Sequence, residues 1–374
     1  MIVKNPGVQV FLRDYWQKKP VLLKGAVPDF VDPVSPEELA GLACEAEVES
    51  RLVFTRRNSW QMQNGPFRSK DFTSLPARNW TLLVQAVDQW VPAVRQLLAT
   101  VPFLPTWRVD DVMISYATPN GGVGPHFDYY DVFLVQGQGS RIWKTGQHCT
   151  SRDTLRTDSG LKLLKQFHTV HEWHLQSGDV LYVPPGVAHW GVSVDNSLCY
   201  SIGFRAPSLA DVVLGYSEEL AAGLSGDLRL QDPKRQQPLR AGEITQADLQ
   251  QTKRQLQQVL HDDAVLARWL GMHMTQPRYP ELIQPAEHAV QRQSRLSLHP
   301  SSRLAWLEQE DQFRVFVDGD SQLLPVSNNL RNALQTLASG GSVTYNSLAR
   351  NHACLGWCTE LLTRGSLQLE FSDD

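Results

Sequence analysis

Cysteine is sparse in this chain: five in 374 residues, at Cys44, Cys149, Cys199, Cys354 and Cys358. An odd, scattered set excludes a disulfide-stapled scaffold and fits a reducing, cytoplasmic setting. An excess of charge of one sign is also lacking. The formal net charge is −4, so no global basic field draws the chain to nucleic acid, and direct nucleic-acid binding is not expected. A net figure leaves room for a local basic patch. No apolar run approaches the ~20 residues of a membrane-spanning helix. The opening MIVKNPGVQVFLRDYWQKKP interrupts its apolar residues with Lys4, Asn5, Pro6, Arg13 and Asp14, which is not a leader pattern. Internal repeats and long low-complexity tracts are missing too, which excludes solenoids and extended disordered tails.

What is present is an ordinary globular composition, 42% hydrophobic and 20% charged, with eleven tryptophans. The length predicts two or three domains. Residues 1–207 open with helix and loop and turn into short β runs. SPEELAGLACE predicts a capped helix, with Ser35 as N-cap, Pro36 in the first turn and Glu38 closing a capping box. Asn79 to Val101 carries apolar residues at helical spacing and predicts a helix kinked or split at Pro92. From Trp107 onward VMISYA, DVFLVQ, RIWKT, VLYV and LCYSIGF alternate with Gly and Pro turns, which predicts an antiparallel sandwich or barrel. Residues 208–276 predict Gln-rich helices with apolar faces that could pair with each other or with a second copy, separated by a polar loop, DPKRQQPLRAGE. Residues 277–374 predict strands with a turn at Asp318-Gly319-Asp320, then a helix, in a winged-helix-like α+β domain.

Chemistry concentrates in GGVGPHFDYYDVFLVQ and GDVLYVPPGVAHWG. His126 and Asp128 are two apart, so on a strand both side chains leave one face. His189 follows the Val180–Val183 run and a tight Pro184-Pro185-Gly186 turn, which a rolled sheet can bring to the same point. Two imidazoles and one carboxylate form a facial triad, a set that suits Fe(II) and leaves positions open for an α-keto acid and O2. A dicarboxylate co-substrate also needs a cation for its far end. Arg141, at the start of the RIWKT run, can hold a carboxylate with its planar fork, and Ser115 could share the load. Lys144 is the rival. His168, His171 and His174 lead into a turn and read as a solvated strand. His352, Cys354 and Cys358 read as helix packing, because no fourth zinc ligand is evident.

These motifs, with WQKKPVLLKGA, SPEELAGLA, DDVMISYATPNGG and SIGFRAP, resemble the JmjC-type oxygenases, in particular the bacterial ribosomal oxygenases. The resemblance is dense from about Val10 to Pro207 and thinner beyond. It implies a double-stranded β-helix of the cupin-like jelly-roll kind, a helical dimerisation region over 208–276 and a C-terminal winged helix. It also implies Fe(II) on His126, Asp128 and His189, with 2-oxoglutarate and O2 as co-substrates and Arg141 and Ser115 at the anion site. The implied reaction hydroxylates an arginine of a large-subunit ribosomal protein and releases succinate and CO2. Human relatives use lysine at the anion position and hydroxylate histidine, whereas Arg141 matches the bacterial form. Two other readings remain open on sequence alone: a cupin metalloenzyme acting on a small molecule, and a non-enzymatic ribosome-binding module. The residues that grip the target are not legible.

Overall fold

The runs after Trp107 form strands because they are short, rich in β-branched and aromatic residues, and bounded by turn-forming residues. The computed structural model describes the chain apart from residues 57–58, 158–159, 234, 236–239, 286–290, 292, 350 and 371–374. Its contacts fall into two units, Met1–Ala206 and Pro207–Asp374.

The first unit contains β1 (Val21–Leu23), β2 (Ser50–Arg56), β3 (Ser59–Asn64), β4 (Trp80–Val84), β5 (Val109–Ala117) and β6 (Val132–Gln136). It continues with β7 (Ser140–His148), β8 (His171–Gln176), β9 (Val180–Val183), β10 (Val187–Ser193) and β11 (Ser197–Phe204). Eight strands make one antiparallel sheet in the order β1-β9-β6-β11-β5-β4-β2-β3, and β10-β7-β8 make a second. The core is the jelly roll of a double-stranded β-helix. One face of the large sheet is covered by N-terminal elements: the ring of fully buried Phe11 lies 5.0 Å from that of Tyr182 and 5.7 Å from that of Phe133. Full burial of such a ring contributes roughly 1.5–3 kcal/mol.

The helix predicted near Ser35 forms as Pro36–Leu42, with both halves of its capping box made. The helix predicted over Asn79–Val101 does not form. Trp80–Val84 is strand β4, buried at every position, and only short turns of helix follow, at Val87–Gln89, Pro92–Arg95 and Gln96–Thr100. A strand buried on both faces has no alternation, so its apolar run matches a helical spacing equally well.

In the second unit, helix Leu209–Gly223 packs on helix Asp263–Thr275. The long helical stretch after Ile244 is broken into Gln246–Val259 and Asp263–Thr275, because Asp262 caps the second piece by accepting from the backbone N–H of Ala264 and Val265. Part of the polar loop between the first two helices, 234 and 236–239, lies outside the described residues. Strands β12 (Arg295–Leu298), β13 (Leu304–Gln309), β14 (Gln312–Val317), β15 (Asp320–Pro325), β16 (Ser342–Thr344) and β17 (Leu367–Leu369) form two three-stranded sheets. With helices Asn328–Ala338 and His352–Thr363 they enclose an apolar core that includes Leu296, Leu334, Leu337 and Leu361. Cys354 and Cys358 lie in that core while His352 is exposed, so this trio packs a helix. Burial, with Cys354 beside it, pushes the Cys358 thiol up to about 12, away from a ligating thiolate.

Candidate metal centre

His126 and Asp128 sit on extended backbone that joins the sheet by a single bridge and is not a full strand. The bridge is to His189, near the start of β10: the His189 N–H donates to the His126 carbonyl at 2.8 Å, and the His126 N–H to the His189 carbonyl at 3.1 Å. The Asp128 carbonyl accepts from Gly186 N–H at 2.7 Å. The main chain therefore sets the relative positions of all three side chains. Gly186 has φ +78°, and a Cβ there would meet the His148 ring at 2.7 Å, so the turn before His189 requires glycine.

The ligand atoms of His126, Asp128 and His189 lie within 4.8 Å of one another. Asp128 Oδ2 is 3.5 Å from His189 Nε2 and 3.9 Å from His126 Nε2. Each imidazole places Nδ1 against a main-chain carbonyl, Gly124 at 2.9 Å and Val187 at 3.0 Å. A carbonyl only accepts, so Nδ1 carries the proton and the Nε2 lone pair faces the common point. His189 is buried, and burial, reinforced by neighbouring His126 and opposed by Asp128, pulls its pKa down to about 4. It is neutral at physiological pH, as a metal ligand must be.

The second part of the site follows from strand pairing. On β7, Arg141, Trp143 and Thr145 alternate inward with Ile142 and Lys144 outward. Their β10 partners are Ser193, Gly191 and His189. Gly191 makes room for the indole, since a Cβ would come within 2.8 Å of the Trp143 ring. Arg141 reaches from the small sheet to the large one. Nη1 donates to Ser115 Oγ at 2.8 Å, Nε to Ser197 Oγ at 2.8 Å, and Nη2 to the carbonyls of Ser115 and Ser197 at 2.8 and 3.0 Å. These acceptors are all neutral. The residue is 5% exposed, and no carboxylate among the described residues pairs with it. Burial lowers its pKa, with the Cys199 thiol acting in the opposite sense; an arginine still keeps its proton in a protein. Four bonds leave one of five guanidinium N–H groups over. Trp143 Nε1 and Thr145 Oγ1 are also buried without a partner among the described residues. Lys144, the rival cation, lies on the outer face, 3.3 Å from Glu172 and over the Trp190 ring.

The structure thus brings His126, Asp128 and His189 together and puts Ser115 on Arg141. Sequence reading missed Ser197, Trp143 and Thr145. Counting two and four residues on from Arg141 would have found the latter two. His171 and His174 are exposed on edge strand β8, with the His171 ring stacked on Trp173.

A jelly roll with a His-x-Asp and distant His cluster at one end and a lone buried cation deeper in the roll defines the JmjC class of cupin-like proteins. The JmjC domain family matches residues 96–212, and the ROXA-like winged helix family matches residues 258–368. The chain belongs to the ribosomal oxygenase family of JmjC proteins. It is 38% identical over 287 residues to the ribosomal protein uL16 3-hydroxylase of Escherichia coli (strain K12), covering 75% of this chain and 74% of that one. It is 39% identical over 212 residues to a probable ribosomal oxygenase of Haemophilus influenzae, covering 56% and 52% of the two chains. Solved structures of the E. coli ribosomal oxygenase YcfD superpose over 97% of this chain and 98% of theirs. The TM-score is 0.86 at 32% identity in one crystal form, and 0.83 at 32% for the complex with cobalt and 2-oxoglutarate.

Proposed function

We propose that the chain is an Fe(II)- and 2-oxoglutarate-dependent protein hydroxylase. Its target is an arginine side chain of a large-subunit ribosomal protein, uL16 being the first candidate, and it releases succinate and CO2. The observation that carries the reading is Arg141: a buried cation without a counter-carboxylate, on the same inner wall as His189. Desolvating such a group is costly unless an anion arrives. A dicarboxylate with one end on Arg141 and Ser115 supplies that anion and leaves its keto-acid end for the triad.

His126, Asp128 and His189 would hold the iron, whose chemistry is to couple O2 activation to oxidative decarboxylation of the keto acid and oxygen insertion into an unactivated C–H bond. The protein's own share is positional. Carbonyls of Gly124 and Val187 fix the imidazole tautomers. Arg141 and Ser115 fix the direction in which the co-substrate points. Trp143 and Thr145 offer it two further donors, and the apolar wall of Leu134, Leu181 and Val183 excludes water. Against a small-molecule cupin, this apparatus matches a keto acid; against a decayed binding module, its parts are intact.

The proposal extends to a cytoplasmic homodimer joined through the helical region. Leu209, Val213 and Leu214 are 82%, 60% and 64% exposed on one helix, and Leu249 and Leu256 are 52% and 54% exposed on another, a pattern that calls for a cover. No helix among the described residues is long and apolar enough to cross a membrane. The test is anaerobic loading with Fe(II) and 2-oxoglutarate, then O2 exposure with a uL16 peptide, read by mass spectrometry. A gain of one oxygen on arginine, dependent on both additions, is expected. Succinate without peptide modification would displace the target and keep the chemistry. Neither product from iron-loaded protein would overturn the enzyme reading.

A further inference from the structure

A second depression lies on the face of the large sheet opposite Ser115. Leu52 and Phe54 of β2 line it. Leu52 pairs with Leu82 and Leu82 with Tyr116, so these side chains leave the face opposite Leu83 and Ser115. The other walls are helix Ser69–Thr73 and the segment leading to β4, and the cavity measures about 910 Å³. That is near the upper end of small-ligand cavities, roughly 300–1,000 Å³.

Its charge is one-sided. Arg56, Arg68 and Arg78 line it against a single carboxylate, Asp71. Asp71 is already engaged, accepting the Arg68 N–H at 2.9 Å and pairing with the Arg68 guanidinium at 3.4 Å. Arg56 and Arg78 are exposed and have no carboxylate partner among the described residues. Gln63, Asn64 and Asn79, each carrying a side-chain amide, line it as well.

We propose that this groove binds single-stranded RNA. Guanidinium groups take phosphates and stack on bases, an apolar floor receives a base face, and side-chain amides meet base edges. A purely acidic peptide such as polyglutamate would use the arginines but has no flat apolar face for the floor. The chain-wide charge of −4 does not oppose this, because at physiological salt charges beyond about 8 Å are largely screened and the local arginines govern.

The test is fluorescence anisotropy of a fluorescein-labelled, mixed-sequence RNA of about ten nucleotides with the full-length protein, repeated across a KCl series. It needs neither iron nor 2-oxoglutarate, so it stands apart from the oxygenase reading. Salt-dependent binding is expected. Arg56→Ala and Arg78→Ala should each lower the slope of log K against log salt by about 0.7, the single-strand value per phosphate contact. Arg56→Glu with Arg78→Glu should weaken binding at least tenfold, with an unchanged melting temperature. The proposal is overturned if wild-type protein shows no salt-dependent RNA binding, or if the double variant binds like wild type. It is equally overturned if fluorescein-labelled polyglutamate binds at these arginines and RNA does not.

Discussion

Arg141, Thr145 and His189 are 5%, 0% and 3% exposed, as buried as Leu334, Cys358 and Leu367 in the second unit, each at 0%. The two interiors differ in what they bury. Between the sheets of the first unit lie a cation without a carboxylate, an indole N–H and a hydroxyl without partners, and a histidine held neutral. The winged-helix core is leucine, valine, alanine, phenylalanine, one tryptophan and two thiols. A buried polar group left unpaired costs ~1–3 kcal/mol, whereas apolar packing stabilises directly. The second interior maintains a fold. The first gives up stability around Arg141, which a bound anion would restore; unpartnered polar atoms also occur elsewhere, at Ser301 and Gln136 for instance, but there without a buried cation beside them.

The contrast predicts that substitutions in the first interior change chemistry and those in the second change stability. Asp128→Ala carries the largest effect: succinate formation and peptide oxidation fall to background, while the melting temperature stays within about 2–4 °C of wild type. Normal turnover in that variant would break the contrast at its centre. Arg141→Ala raises the 2-oxoglutarate KM at least about thirtyfold, because truncating one member of a buried ion pair costs ~2–5 kcal/mol; iron binding, measured by metal analysis, persists. Leu334→Ala costs ~2–5 kcal/mol in urea unfolding and leaves the 2-oxoglutarate KM unchanged. Thr145→Val removes a hydroxyl that has no partner in the free protein, so the melting temperature holds or rises while the 2-oxoglutarate KM climbs by roughly two- to tenfold, one hydrogen bond's worth. Lys144→Ala, on the outer face of the same strand, shifts both quantities least, within about twofold. Equal effects of Lys144→Ala and Arg141→Ala would erase the distinction between the two faces of β7.

Much of the site was legible because it is local. His126 and Asp128 declare a shared direction by their spacing, and Pro184-Pro185-Gly186 announces the turn that delivers His189. The capping box at Ser35 and Glu38 was readable for the same reason. Trp80–Val84 was misread because complete burial erases the period that separates strand from helix. Thr145 was open to counting along β7 from Arg141, but Ser197 was missed because its relevance depends on a distant segment meeting the Arg141 side chain. The arginine groove is harder still, since Arg56, Arg68 and Arg78 come from a strand, a helix cap and a loop.

The paired main-chain bonds between His126 and His189 have a consequence for how such a protein can diversify. The backbone positions of the two histidines are held by peptide groups, which every residue type supplies. Tyr129 and Tyr130, 60% and 42% exposed, follow Asp128 in the chain; Tyr130 is tied to the Asp128 side chain by a hydrogen bond, whereas Tyr129 stands outside the main-chain latch. On such a latch, side chains that take no part in it can change while the backbone positions of His126 and His189 stay as they are.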